Sequence, residues 1–340
     1  MAKKIAVLGA GAIGSCVGAD FTRAGCDVVL IDPWPAHVEA MKARGLTVKV
    51  SGEEWQTPVR AFLLDEINAL QPAFDLVFLA AKSNDTRLMV DFIKPYLKPD
   101  GALISLQNSL NDEWIAPIIG YQRDIGSVVE LSAEVFEPGQ VKRNSGPERT
   151  WFALGELHGR ITPRLKEIAT ILRNTGRVDE TTNIWGAKWR KLVVNSMISG
   201  ICGALGLRDW ELIQRPELVD ISVGLGKETM QVGVALGYSL EPIFGMTAED
   251  FLGATDDALR KILEKLVSHI GREARSMVFQ DLLKKRPTEI DYINGLVVRK
   301  GQEAKVATPL NATVAAVIKE IEQGQIESGL SNLSRFPKLG

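Results

Sequence analysis

The stretch Ile5-Ala6-Val7-Leu8-Gly9-Ala10-Gly11-Ala12-Ile13-Gly14 constrains the fold more than any other part of the chain. An apolar run stops at three glycines spaced G-x-G-x-x-G, and a helix-like segment, Ile13–Ala24, follows at once. Each glycine has its own steric task. Gly9 permits a tight turn, Gly11 removes a Cβ that would block anything approaching the turn, and Gly14 lets strand and helix come close. The start of such a helix carries unpaired N–H groups and a partial positive charge, a seat for phosphate.

The rest of the first half repeats the alternation. Val28–Ile31, Leu76–Ala80 and Ala102–Leu106 are short apolar runs of the kind buried on both faces of a parallel sheet. Helix-like Pro35–Arg44, Asn84–Tyr96 and Asp112–Ile119 lie between them. The pattern predicts an α/β fold with a doubly wound parallel sheet of Rossmann type. There the turn Gly9, Ala10, Gly11, Ala12, Ile13, Gly14 reads as a dinucleotide site, and Asp32, closing the second strand, is placed to take the adenosine ribose hydroxyls. A carboxylate repels a 2′-phosphate, and Pro33, Trp34 and Pro35 supply no cation. The expected cofactor is therefore NAD, with NADP less favoured. The bland alternatives are a structural glycine turn and an Asp32 that only caps the next helix.

From about Ser127 the pattern changes. Val128–Phe136 and Gln140–Arg143 flank Glu137-Pro138-Gly139-Gln140, with Pro and Gly where a type II turn wants them. This predicts antiparallel strands appended to the sheet, ending near Trp151–Leu154, then a helix over Ile161–Asn174 and a last strand at Arg177–Asp179. Past Thr181 helical periodicity takes over: Lys188–Gly203, Glu217–Leu236, Thr247–Ser268, Glu289–Arg299 and Ala312–Gln323. The reading is a cofactor-binding domain over 1–180, an all-helical substrate domain over 181–328 and a loosely held tail over 329–340.

Composition excludes other classes. The chain has 340 residues and a net charge of −2, so nothing draws it to nucleic acid or an anionic membrane. No apolar run reaches the ~20 residues that span a bilayer, and the early first strand leaves no room for a signal peptide. Cys16, Cys26 and Cys202 are too scattered for a disulfide scaffold, and His37, His158 and His269 give a metal site little material. A soluble, cytoplasmic protein without a metal is expected. Its expected partner is a small molecule, with a homodimer as the candidate assembly.

One segment carries chemistry of its own. Lys188–Ile201 is largely apolar beyond Lys191, yet Lys191, Asn195 and Ser199 recur every four residues and share one helix face. A polar stripe on a buried helix needs partners or a wet cleft. A partly desolvated lysine has a lowered pKa and can protonate an alkoxide formed when hydride reaches a carbonyl carbon. Ordinary structural hydrogen bonding is the alternative. Lys82 and Asn108 each follow a predicted parallel strand, on the side where cofactors bind.

Together the GAGAIG start, Ala81-Lys82-Ser83, Leu106-Gln107-Asn108, Trp189–Asn195, Ser276-Met277 and Thr288–Gly295 resemble the ketopantoate (2-dehydropantoate) 2-reductases, in order and over nearly the whole chain. The resemblance implies Lys191 as proton donor, Asn195 on the substrate, Asn108 touching nicotinamide and substrate, and Lys82 beside the cofactor. It also implies Ser276 on the substrate carboxylate, and Glu289 contacting the cofactor and tuning the lysine. A first-turn helical acid facing solvent is the alternative for Glu289. Several positions depart from the family. Ser199, Asp209 and Glu273 stand where the family carries Asn, Ser109 where Gly follows the Asn, and Glu134 where a small residue sits beside the cofactor. Two of these changes bring negative charge toward an anionic substrate, so the expected substrate is something other than ketopantoate. A 3-hydroxy acid dehydrogenase, which also uses Lys-x-x-x-Asn, and a non-catalytic NAD sensor are the competing readings. Thr288–Gly295 argues against the first, and Lys191, Asn195 and Glu289 together argue against the second.

Overall fold

The computed structural model describes residues 3–70, 73–243, 245–270, 272 and 274–337, with backbone only at 69, 70, 269 and 270. The chain forms two compact units, Met1–Ile184 and Trp185–Gly340.

The first unit runs β1 (Lys4–Leu8), α1 (Ala12–Arg23), β2 (Asp27–Ile31), α2 (Pro35–Arg44), β3 (Leu46–Val50), β4 (Glu53–Thr57), β5 (Ala61–Phe62), β6 (Phe74–Leu79), α3 (Thr86–Ile93), β7 (Leu97–Ser105) and α4 (Asp112–Ile119). It continues through β8 (Asp124–Glu130), β9 (Ala133–Glu134), β10 (Gln140–Arg143), β11 (Trp151–Glu156), α5 (Pro163–Leu172) and β12 (Arg177–Glu180). Eight strands form one sheet in the order β12-β11-β8-β7-β6-β1-β2-β5. All neighbours are parallel except β11 against β8. Alternation along β1 explains the two-sided burial. Ile5 and Val7 join the core under α1 and α5, while Ala6 and Leu8 join the core under α3 and α4. The doubly wound Rossmann sheet expected from the sequence is present.

The antiparallel expectation over 128–143 needs correction. β11 does add antiparallel to β8, but β9 and β10 leave for a second sheet of order β4-β3-β10-β9. Their partner is the β3–β4 hairpin, which the helix-and-strand reading passed over. Leu46, Val48 and Val50 alternate with Thr47 and Lys49, and Ser51 and Gly52 both take positive φ, as a two-residue hairpin turn requires. The turn before β10 has the anticipated geometry: Gly139 lies at φ 76° and Gln140 N–H donates to Glu137 O at 3.2 Å. A wholly buried Arg143 ties this small sheet to its neighbours, donating to Asp20, Ser145 O, Thr150 and Thr175 O.

Among the described residues of the second unit the regular structure is helical, apart from one isolated bridge, Ile243 to Met246. The helices are α6 (Ile184–Leu205), α7 (Asp209–Leu212), α8 (Pro216–Ala235), α9 (Ala248–Gly253), α10 (Asp256–Ile270), α11 (Met277–Leu283), α12 (Asn294–Ala304) and α13 (Pro309–Glu322). Three expectations change. The span 247–268 is two helices, because Ala254 turns extended and Thr255 opens the second. The span 289–299 breaks at Ile293, with φ −112° and ψ −97°, into a 3-10 turn over Ile290–Tyr292 and α12. The tail is held over its described residues up to 336. Leu330–Arg335 forms a 3-10 turn, Phe336 is buried, and the buried Asn332 amide donates to Ala204 O and Glu327 O at 2.9 Å each. Among the described residues no His, Cys, Asp and Glu cluster suits a metal ion, and no helix is long and apolar enough to cross a membrane.

Candidate active site

In the first unit the register β2-β1-β6-β7 aligns Ile31, Leu8, Leu79 and Ser105 at one edge. The next residues along the chain are Asp32, Gly9, Ala80–Lys82 and Leu106–Asn108, so the expected cofactor residues line the carboxyl edge of the sheet. The winding reverses at β1 and β6, the place where open α/β sheets take ligands.

The glycines behave differently from one another. A Cβ on Gly14 would lie 1.8 Å from Gly9 O, and one on Gly9, at φ 92°, 2.7 Å from Ala81 N. Both positions exclude any side chain. A Cβ on Gly11 would meet nothing within 4 Å. Gly11 is the exposed N-cap of α1, and Ser15 N–H makes the first bond back to it. The N–H groups of Ala12, Ile13 and Gly14 therefore have no intrahelical acceptor, and the space beside Gly11 is open. A dinucleotide pyrophosphate fits this opening.

Asp32 is buried and turns back on the glycine turn. Its Oδ2 accepts from Ala10 N–H at 2.6 Å and its Oδ1 from Trp34 N–H at 2.9 Å. Ahead of β6 and β7, residues outside the sequence-based site organise the edge. Gln107 Nε2 donates to Ala81 O at 2.8 Å and to Thr86 Oγ1 at 2.9 Å. Asn111 Nδ2 donates to Ser83 Oγ at 2.9 Å and Asn108 O at 2.7 Å. These amides staple the Lys82 loop to the Asn108 loop. Lys82 and Asn108 are half-buried beside them. Glu134 is buried on β9 of the second sheet, which packs against α1.

In the second unit Lys191 is half-buried on α6, while Asn195 and Ser199, one and two turns on, are buried. The helix is locked on several sides. Trp189, fully buried, donates its Nε1–H to Thr229 O at 3.0 Å and stacks on Tyr238, a packing role. Asn294 Nδ2 donates to Ser196 O at 3.2 Å and Asn311 Oδ1 at 2.9 Å. Asn311 in turn meets Glu228 on α8, whose carboxylate also accepts Leu310 N–H and Asn311 N–H at the start of α13. The sequence reading missed this network. Its signals were an acid inside the apolar run of α8 and the Thr308-Pro309 helix start.

Ser276 opens α11. Its hydroxyl donates to Ser199 O at 3.1 Å and accepts Phe279 N–H at 3.3 Å as the N-cap of α11. Asp209 is buried in the first turn of α7, and burial together with the neighbouring Asp209 and Glu211 holds the Cys202 thiol well above its usual range. Burial likewise pushes the Cys16 thiol up to about 12, in keeping with a small core residue. Glu289 is buried, which removes the solvent-facing alternative, and its 3-10 turn meets α6 at Gly200 through Ile290. Glu273 lies outside the described residues.

Two family descriptions match the chain: Ketopantoate reductase PanE/ApbA over residues 5–156 and its C-terminal part over 183–322. The 2-dehydropantoate 2-reductase of Archaeoglobus fulgidus is 28% identical, spanning 95% of this chain and 99% of its own. A PanE/ApbA family ketopantoate reductase from Ralstonia eutropha JMP134 superposes with TM-score 0.79 at 27% identity, covering 94% of this chain and 99% of that one. D-mandelate dehydrogenase, in a complex with NADH and anilino(oxo)acetate, superposes with TM-score 0.81 at 26% identity, covering 94% and 98%. With matches along both units, the chain belongs to the ketopantoate reductase family of oxidoreductases.

Proposed function

We propose that this chain is an NAD(H)-dependent oxidoreductase of 2-oxo and 2-hydroxy acids, with Lys191 as proton donor and a preferred substrate other than 2-dehydropantoate. The observation that carries the reading is α6, a helix buried on most sides on which Lys191 keeps partial access while Asn195 shares its face. The nicotinamide, when bound, supplies the hydride. The chain's part is to seat the pyrophosphate on the N–H groups after Gly11 and the ribose on Asp32. Lys191 then passes its ammonium proton to the substrate oxygen, and the polar group of Asn195 orients that substrate. Asn108 and Lys82 are proposed beside the nicotinamide. Glu289 is proposed to tune the lysine, and Glu134 to flank the cofactor through its position against α1.

The substrate proposal follows from chemistry that differs from the family pattern. Ser199 and Asp209 stand where the family pattern has amides that could both donate and accept. A site that hydrogen-bonds a hydroxyl acid discriminates steeply when those donors go. D-mandelate dehydrogenase supports a wider range, since its name puts an aromatic 2-hydroxy acid on a similar fold. Steady-state kinetics with 2-dehydropantoate, benzoylformate and branched 2-oxo acids, each with NADH and NADPH, tests both points. The expected result is at least about tenfold higher kcat/KM with NADH, from repulsion between Asp32 and a 2′-phosphate. A best carbonyl other than 2-dehydropantoate is also expected. Selective turnover of 2-dehydropantoate with NADPH would refute the proposal.

A further inference from the structure

His37 has no part in the chemistry above, yet it is wholly buried at the centre of the cofactor turn. It projects from α2, and its two ring nitrogens have separate partners. Gly139 N–H donates to Nδ1 at 2.9 Å, so Nδ1 carries a lone pair and the proton of the neutral ring is on Nε2. That Nε2–H donates to Ala10 O at 2.9 Å. Ser15 Oγ donates to the same carbonyl at 2.6 Å and lies 3.3 Å from Nε2. The N–H of Ala10 is held by Asp32, so both polar groups of this one residue are fixed. The face of the imidazole stacks on Trp34, centroids 5.2 Å apart and planes 14° apart, and Trp34 N–H returns to Asp32 at 2.9 Å. The contacts close a circuit: Asp32, Ala10, His37, Trp34 and back to Asp32.

This circuit acts on the two features that would hold a dinucleotide. Ala10 sits between Gly9 and Gly11, so its peptide orientation decides where the N–H groups at the start of α1 point. Asp32 has its carboxylate plane set by Ala10 and Trp34. The pin comes from the second sheet. Gly139, in the turn before β10, approaches α2 so closely that a Cβ would lie 2.9 Å from Ala40 Cβ.

We propose that His37 is a positioning residue for the cofactor: through Ala10 it aims the pyrophosphate-binding turn, with the turn at Gly139 fixing its tautomer. The proposal rests on the reading that this turn binds a dinucleotide. Two variants divide its contacts. H37N keeps an acceptor for Gly139 N–H but is too short to reach Ala10 O, whereas H37Q keeps a donor that can reach Ala10. The probes are ADP-ribose, which carries the adenosine and pyrophosphate without the nicotinamide, and NADH. H37N is expected to raise the Kd for ADP-ribose and the KM for NADH about tenfold, the weight of one or two hydrogen bonds, with kcat at saturating NADH within about twofold. H37Q is expected to recover most of that loss.

A folded H37N with wild-type affinity for ADP-ribose overturns the proposal. So does equal loss in H37N and H37Q, which marks mere packing, and so does a fall in kcat with KM unmoved. If H37N does not fold, H37F, which keeps a flat ring against Trp34 and has neither hydrogen bond, is held to the same outcomes. Wild-type protein that binds no ADP-ribose sinks the dinucleotide reading itself. Tight wild-type binding that H37N leaves unchanged sinks the role of His37 alone.

Discussion

The turn after β1 and the polar stripe on α6 are built in opposite ways. The turn is held by backbone geometry over a few consecutive residues, with Gly9 and Gly14 excluding side chains and Asp32 reaching back to Ala10. The stripe lies on a helix fixed by side chains from far along the chain: Asn294, Asn311, Glu228, Thr229 and Ser276. A binding surface made of main-chain N–H groups needs only the correct turn. A helix that must present a lysine needs support from every neighbour it packs against.

The sharpest test separates the two regions by what they do. K191A is expected to lower kcat/KM by about 10²–10⁴, the usual worth of a general acid, while NADH titration by fluorescence gives an unchanged Kd. Turnover that survives intact would place the acid elsewhere and leave α6 a structural helix.

The glycines test the other half. G14A puts a methyl 1.8 Å from Gly9 O, so strand and helix must part. A loss on the order of 3 kcal/mol or more in urea unfolding is expected, together with cofactor binding. G11A adds a methyl in open space and is expected to leave stability within about 0.5 kcal/mol while weakening NADH binding. Equal effects on stability would mean that the turn has no open side, and the pyrophosphate seat would be lost from the proposal.

On the helix side N311A removes donors to Glu228 and Leu225 O and an acceptor for Asn294. About 2–4 kcal/mol of destabilisation is expected, because a buried carboxylate and amide lose partners. ADP-ribose affinity should not move, since the turn does not depend on this network. A marked fall in that affinity would break the contrast between local and distant support.

The same contrast explains what was legible in the sequence. The doubly wound sheet and most helix positions follow from apolar periodicity, and the glycine turn follows from a spacing with one steric meaning. The β3–β4 hairpin was legible in principle, through Val48 and Val50 alternating ahead of Ser51-Gly52, but its short strands were weak against the helical neighbours. The join of β10 to β3 was not, because nothing local says which of two sheets a strand enters. His37 read as an isolated histidine, since its partners Ala10 and Gly139 are 27 and 102 residues away. Ser276 shows what a motif alone leaves out: its hydroxyl caps α11 and also meets Ser199 O, 77 residues away.

Ser109 offers the smallest effect and the finest test. It follows Asn108 at the edge of β7 with φ 71°, a left-handed conformation that costs a residue with a Cβ roughly 1 kcal/mol, and it stands where the family pattern has glycine. Its side chain is buried. S109G is expected to stabilise the protein by about 0.5–1 kcal/mol in urea unfolding, through relief of strain. If S109G is instead less stable than wild type, the serine hydroxyl outweighs the backbone strain. The Asn108 loop would then be held by side chains, as α6 is, rather than by main-chain geometry like the glycine turn beside it.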